Sequence, residues 1–178
     1  GVDASIIQSD GDNKYEVIID KYFRYTQEIY ENIHNLKDKI NNSKDLRNLS
    51  TEIQPIERKI TLFHAQVVNE IIKKFESNID LIGFHGQTIF HNSKEKISKQ
   101  LGDGKLLSQM SKKTVVFNFR QNDLRNGGEG APLTPIFHKL LKNKYKLIVP
   151  LIILNIGGIA NLTIIDKNEK ICSRDIGP

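Results

Sequence analysis

A chain of 178 residues with 38% hydrophobic content is long enough to bury a core, as one large domain or as one and a half ordinary ones. The net charge of +5 comes from scattered lysines (Lys37, Lys39, Lys73, Lys74, Lys94, Lys96, Lys142, Lys144), without the basic stripe interleaved with stacking aromatics that a nucleic-acid face needs, so no nucleic-acid partner is expected. No run of about 18 apolar residues and no basic-then-apolar leader is present, so a cytoplasmic protein without membrane contact is expected. The single cysteine, Cys172, allows neither a disulfide framework nor a multi-cysteine zinc site and is expected to be a buried or half-buried bystander.

The opening GVDASIIQSDG alternates toward an Asp-Gly turn and KYEVIIDKYFRY follows with the same period, which predicts an antiparallel hairpin. From about 26 to 42, Ile29, Ile33, Leu36 and Ile40 recur at helical spacing. A second helix is predicted from about 54 to 77, with Ile60, Phe63, Val67, Ile71 and Ile72 on one face and His64 beside them as a satisfied or exposed histidine rather than a ligand. The short apolar run IDLIGF suits a buried strand delivering a loop, GFHGQT, at its C-terminal end. A helix around 103–111, a strand in TVVFNF, and a helix carrying Ile136, Leu140 and Leu141 after Pro132 and Pro135 follow. Strand and helix alternate, so an α/β layer is expected.

Near residue 147 a new unit begins: an apolar strand in LIVPLIILN, a Gly-Gly break, a second apolar strand, and KICSRDIGP as a possible third. The expected domains are 1–146 and the beginning of another at 147–178. The only methionine is Met110, and the chain opens in what reads as mid-strand and stops at RDIGP where a turn begins, so a fragment is expected.

Three glycine-bracketed stretches carry candidate chemistry. In LNIGGIANLT, the paired Gly157 and Gly158 let backbone N–H groups approach an anion with no side chain in the way, one way to cradle phosphate, with Asn161 and Thr163 as polar partners. A Gly-Gly hairpin turn with no ligand is the alternative. In GFHGQT, His85, Gln87 and Thr88 are placed on the loop after a buried strand, flanked by Gly83 and Gly86, where binding groups gather. They suit a hydroxylated or amide-bearing ligand, or merely satisfy backbone. In NFRQNDLRNGGEGAPL, Asp123 precedes Gly127, Gly128 and Gly130, so its carboxylate is expected at a cleft with backbone amides facing a ligand, while Arg120 and Arg125 hold an anion or keep Asp123 ionised. Otherwise the aspartate is only a turn former.

Taken together and in this order, GFHGQTIFH, FRQNDLRNGGEGAPLTPIFH and LNIGGIANLT, with GVDA at the start and DIGP at the end, resemble the anhydro-N-acetylmuramic acid kinase family over essentially the whole chain. Residues 25 to 80 add little to the resemblance. It implies an α/β fold with two ribonuclease-H-like domains of the actin, hexokinase and Hsp70 superfamily, each a mixed sheet flanked by helices, closing on ATP. It further implies a kinase that opens 1,6-anhydro-N-acetylmuramate with water and phosphorylates O6, giving N-acetylmuramate 6-phosphate for peptidoglycan recycling. ATP, Mg2+ and the amino sugar would be its partners, with a homodimer of the full-length protein. The family's first ATP loop runs Gly-Thr-Ser-Leu-Asp-Gly-Val-Asp, whose last three residues correspond to Gly1, Val2 and Asp3. The chain is therefore expected to lack its first strand and most of its second domain, and to be inactive alone.

By the same resemblance the catalytic aspartate maps onto Asp123. Gly157, Gly158 and Asn161 map onto a second phosphate-facing turn, and Asp175 onto a place near nucleotide or metal. His85, Gln87, Thr88 and Arg120, with the loop of Gly128, Gly130, Ala131 and Pro132, fall on the sugar side. No residue is assigned as a metal ligand. Two departures stand out: Asn118 where the family commonly has Asp before Phe-Arg, and Glu129 where it has Gln between glycines. Glu129 adds a negative charge near expected phosphates unless Arg120 or Arg125 compensates. A non-catalytic sugar-binding or interaction domain that kept the fold is the other reading.

Overall fold

The computed structural model describes residues 1–156 and 159–177. The chain divides into two compact units, Gly1–Ala4 with Asp20–Gly130, and Ser5–Ile19 with the chain from Ala131 onward. Strands β1 (Val2–Ser9) and β2 (Tyr15–Phe23) pair with each other and contribute to both. The connection between them is too short for anything but the predicted antiparallel hairpin. Its turn is built by the Asp10 carboxylate, which accepts from the backbone N–H groups of Asp12, Asn13 and Lys14. Those bonds favour the charged form and hold the Asp10 pKa down at about 2.

In the first unit, α1 (Gln27–Lys39) is started by Thr26, whose hydroxyl accepts from the Ile29 N–H at 3.3 Å. It buries Ile29, Ile33 and Leu36 against Ile53 and Ile60 of the long helix α3 (Ser50–Ile72). A single turn, α2 (Asp45–Asn48), precedes α3 and was not foreseen. Helix α3 also begins earlier and ends sooner than the predicted 54–77. Pro55 lies inside it, costing one backbone bond, while the buried Ile53 and Ile60 on either side carry the helix across. His64 is satisfied as expected: its Nδ1 lies 2.8 Å from the Ile60 carbonyl, so that nitrogen carries the proton and donates.

Strand β3 (Ile82–Phe84) pairs in parallel with β6 (Val115–Phe117), in the register Ile82 to Val115, the one parallel ladder among the described residues. Between them come β4 (Gln87–Asn92), β5 (Ile97–Leu101) and α4 (Gly104–Ser111), the last capped by Asp103 close to its predicted place. Gln87 and Thr88 thus open a strand rather than sitting on a loop, a correction to the sequence reading. The partner strand ISKQL is disguised by its polar residues: buried Ser98 is satisfied by His91 Nδ1 at 3.1 Å and by Gln121, whose side-chain oxygen accepts the Ser98 N–H at 3.0 Å. After β6, α5 (Phe119–Arg125) carries Asp123, which is therefore a helical residue and not a turn former.

In the second unit, α6 (Pro135–Tyr145) begins with proline at its first helical position, as predicted. It is followed by an antiparallel sheet in the order β7 (Leu151–Asn155), β8 (Ala160–Ile165), β9 (Ile171–Gly177). The hairpin tip joins α6 through an edge-to-face pair of Tyr15 and Phe137 and through Lys144, whose ammonium donates to the Tyr15 carbonyl. Cys172 is exposed, against expectation, because it lies on the face of β9 shared with the exposed Arg174 and Ile176. Among the described residues no helix is long and apolar enough to cross a membrane.

Candidate active site

The glycines after Asp123 form the end of its helix. With Asn126 as the C-cap of α5, the Gly127 N–H donates to the Leu124 carbonyl at 3.3 Å and the Gly128 N–H donates to the Asp123 carbonyl at 2.9 Å. This is the paired six-to-one and five-to-two pattern of a Schellman cap, with Gly127 at φ +94° supplying the left-handed residue. Leu124, fully buried, anchors the helix from beneath.

The chain then turns back so that the Gly130 N–H donates to Asp123 Oδ2 at 2.8 Å. The half-buried carboxylate lies against Gly128 closely enough that a Cβ there would stand 2.1 Å from Oδ2. The amides of Gly127, Gly128 and Gly130 are thus engaged with the α5 carbonyls and the carboxylate, and do not face a ligand as the sequence suggested. Oδ1 receives no donor among the described residues, which leaves one carboxylate oxygen fixed and the other available to take a proton.

Arg120 lies three residues before Asp123, on the same side of the helix. Its Nη1 donates to the Gly130 carbonyl at 2.8 Å and its Nε donates to His85 Nε2 at 2.9 Å. His85 Nδ1, 2.9 Å from the Gly86 carbonyl, must carry the ring proton and donate, so Nε2 presents a lone pair. Partial withdrawal from water lowers the His85 pKa, assisted by the Arg120 cation and opposed by the Gly86 bond. Gly86 holds this end of the brace rigidly, since at φ +71° a Cβ would come 2.4 Å from the Leu101 carbonyl.

Beside these groups β4 and β5 carry a polar row. Gln100 donates to Thr88 Oγ1 at 3.3 Å and to Ser98 Oγ at 2.8 Å. Gln87, on β4, and Gly1 line one pocket of about 210 Å3 together with His34 and Lys37 of α1. Sequence reasoning had no handle on His34 and Lys37, which read as ordinary exposed helix residues in the stretch with least motif content. Val2 packs on the first unit's core, and Asp3 is exposed on β1.

In the second unit, Asn161 on β8 stands in register with Asp175 on β9. Asn161 is only 9% exposed, and its Oδ1 is buried with no partner among the described residues, whereas Asp175 is exposed. A half-turn of the amide exchanges acceptor for donor at that point, and the acceptor-only Asp175 carboxylate beside it suits the water of a hydrated cation better than a phosphate oxygen, which it repels. Ala131 and Pro132 belong to this unit. Gly157 and Gly158 lie outside the described residues, and with them the expectation that they form a phosphate-facing turn.

A mixed α/β fold with a braced carboxylate and a polar strand row is consistent with a kinase domain. Residues 1–178 match the family model described as anhydro-N-acetylmuramic acid kinase. The chain is 60% identical over 180 residues to the protein of that name from Pelagibacter ubique, covering all of this chain and 48% of that one. It is 33% identical to those of Rhizobium etli and Agrobacterium fabrum, again over the whole chain and 49% of each relative. The chain belongs to the anhydro-N-acetylmuramic acid kinase family, as its motifs suggested, and spans about half the length of these curated relatives. A kinase family implies the use of ATP, and this membership does not favour the non-catalytic reading.

Proposed function

We propose that the whole protein opens 1,6-anhydro-N-acetylmuramate with water and phosphorylates O6 in an ATP-dependent reaction, giving N-acetylmuramate 6-phosphate for peptidoglycan recycling. The observation that carries this reading is the Asp123 carboxylate, with Oδ2 fixed by the Gly130 N–H and Oδ1 open. Breaking an anhydro bridge by inversion needs a base for water and a partner for the departing oxygen. Asp123 Oδ1 takes the proton of the water that attacks the anomeric carbon; the bond from that carbon to O6 breaks, and O6 leaves with its electron pair, ready to accept a phosphoryl group. When bound, ATP supplies the phosphoryl group that captures O6, so no second carboxylic acid is required, and Mg2+ offsets the charge on the phosphates.

Gln87 and Thr88, with the loop from Gly128 to Pro132, are assigned to the sugar. Gly1, Val2, Asp3, Gly157, Gly158, Asn161 and Asp175 are assigned to the nucleotide, with Asn161 and Asp175 the residues suited to Mg2+ and its waters. The fold is assigned to the ribonuclease-H-like domains of the actin, hexokinase and Hsp70 superfamily, with the domain boundary at 146/147. A cytoplasmic homodimer is the proposed working form.

Replacing Asp123 by Asn in the full-length protein is the test. General-base contributions run to about 10²–10⁴-fold, so both ring opening and phosphorylation should fall by at least that much. Unchanged turnover would remove Asp123 from the mechanism. Activity is assigned to the full-length protein and not to these 178 residues alone; product formed by the isolated chain from the anhydro sugar and ATP would refute that part.

A further inference from the structure

We propose that Arg120 and His85 are positioning residues for Asp123: Arg120 grips the far side of the glycine that holds the carboxylate, and His85 fixes the guanidinium to the end of β3. The inference rests on Asp123 being the base, and it gives Arg120 and His85 a task other than touching sugar.

Gly130 is gripped from both directions by one helix. Its N–H donates to Asp123 Oδ2 and its carbonyl accepts from Arg120 Nη1, each at 2.8 Å. The residue is buried, at φ +73°, with Leu124, His91 and the Arg120 carbonyl so near that no side chain fits. Moving the Gly130 carbonyl therefore moves its N–H, and the carboxylate with it. Arg120 is oriented in turn, because the guanidinium is planar and its Nε is committed to His85 Nε2. That acceptor exists only in the tautomer enforced by the Gly86 carbonyl, and Gly86 is itself packed against β5. The series Gly86, His85, Arg120, Gly130, Asp123 thus transmits the rigidity of the sheet to the base, within the first unit alone.

A residue that contacts sugar and one that positions the base differ in kinetics. In the full-length protein with 1,6-anhydro-N-acetylmuramate and ATP, Arg120→Ala should lower kcat about 10²-fold, the usual consequence of a misplacement near 1 Å, with both KM values within about twofold. His85→Ala should lower kcat about tenfold, whereas His85→Gln, whose side-chain oxygen can accept the Arg120 Nε–H, should recover most of the loss. The His85→Ala/Arg120→Ala double variant should be no worse than Arg120→Ala, because the two act in series. If Arg120→Ala does not fold, Arg120→Lys serves, since a lysine can reach the carbonyl without engaging His85 and should lose at least as much kcat as His85→Ala. A raised sugar KM with kcat retained, additive losses, or failure of His85→Gln to rescue overturns the proposal. Activity in Asp123→Asn overturns the base assignment instead, so the two failures are distinguishable.

Discussion

Gly128→Ala and Gly127→Ala form a matched pair that isolates the position of the Asp123 carboxylate from the strain of the backbone. At Gly128 an added methyl would lie 2.1 Å from Asp123 Oδ2, 2.4 Å from Cγ and 2.5 Å from Oδ1. Ordinary contact begins at 3.4 Å, so carboxylate or loop must shift by more than about 1 Å. The shift breaks the Gly130 N–H bond to Oδ2, a bond to a charged group with a net contribution of about 1.5–3 kcal/mol. A misplacement of that size costs a base about 10²-fold, so kcat of the full-length protein for ring opening should drop by about two orders of magnitude. At Gly127 nothing lies within 4 Å of the added methyl, and the sole penalty is the φ of +94°. That strain of about 1–2 kcal/mol should appear in the unfolding midpoint while kcat stays within about threefold. Steady-state kinetics and thermal unfolding on both variants decide the matter. The reasoning fails if Gly128→Ala keeps wild-type kcat, or if Gly127→Ala loses as much as Gly128→Ala.

Leu124→Ala, at a fully buried position under α5, should cost about 2–5 kcal/mol in denaturant unfolding of the full-length protein, and more than Met110→Ala on the exposed side of α4. His138 is buried, with Nδ1 2.8 Å from Thr163 Oγ1, and burial lowers its pKa below the ordinary 6.5. A depressed histidine stabilises the fold fully above pH 6.5 and loses that contribution as the pH falls toward its folded pKa. Acidification from pH 7.5 to 5.5 should therefore lower the unfolding midpoint, and His138→Gln should flatten the slope; an unaltered slope refutes it. Glu129 is exposed beside the proposed site, so Glu129→Gln should lower the KM for ATP by about two- to fivefold at low salt and by less at high salt, where screening removes the repulsion. No change at low salt counts against phosphates near Glu129.

The helices were legible wherever apolar residues recur at helical spacing with a cap nearby: Thr26 and Ile29 for α1, Asp103 for α4, Pro135 for α6. Strand β5 was not, because its buried Ser98 is polar and becomes a core residue only through His91 and Gln121, which are distant in sequence or hidden in a motif. The glycine cluster was visible, but its meaning was not. Asn126, Gly127 and Gly128 spell a Schellman cap once α5 is known to be a helix, and α5 is too short to show a period. Asn118, a departure from the family's usual Asp, sits at φ +65° just before α5, a conformation asparagine tolerates well, so the local backbone asks no more of it than of aspartate.

These features connect the peculiar composition of the QNDLRNGGEG stretch to its chemistry. A carboxylate that must accept a proton from water needs one oxygen open and the other immobile, and an isolated side chain on a loop offers neither constraint. Placing it in the last turn of a short helix leaves that turn's carbonyls without helical partners. The N–H groups of Gly127 and Gly128 donate to two of them, and the Gly130 N–H donates to Oδ2. A missing side chain is required at two of these positions, because Gly128 leaves room for the carboxylate and Gly130 leaves room for Leu124 and His91. On this argument each glycine answers a different steric demand, so substitutions at 127, 128 and 130 should fail for separate reasons: backbone strain, displacement of the carboxylate, and collision with the core beneath.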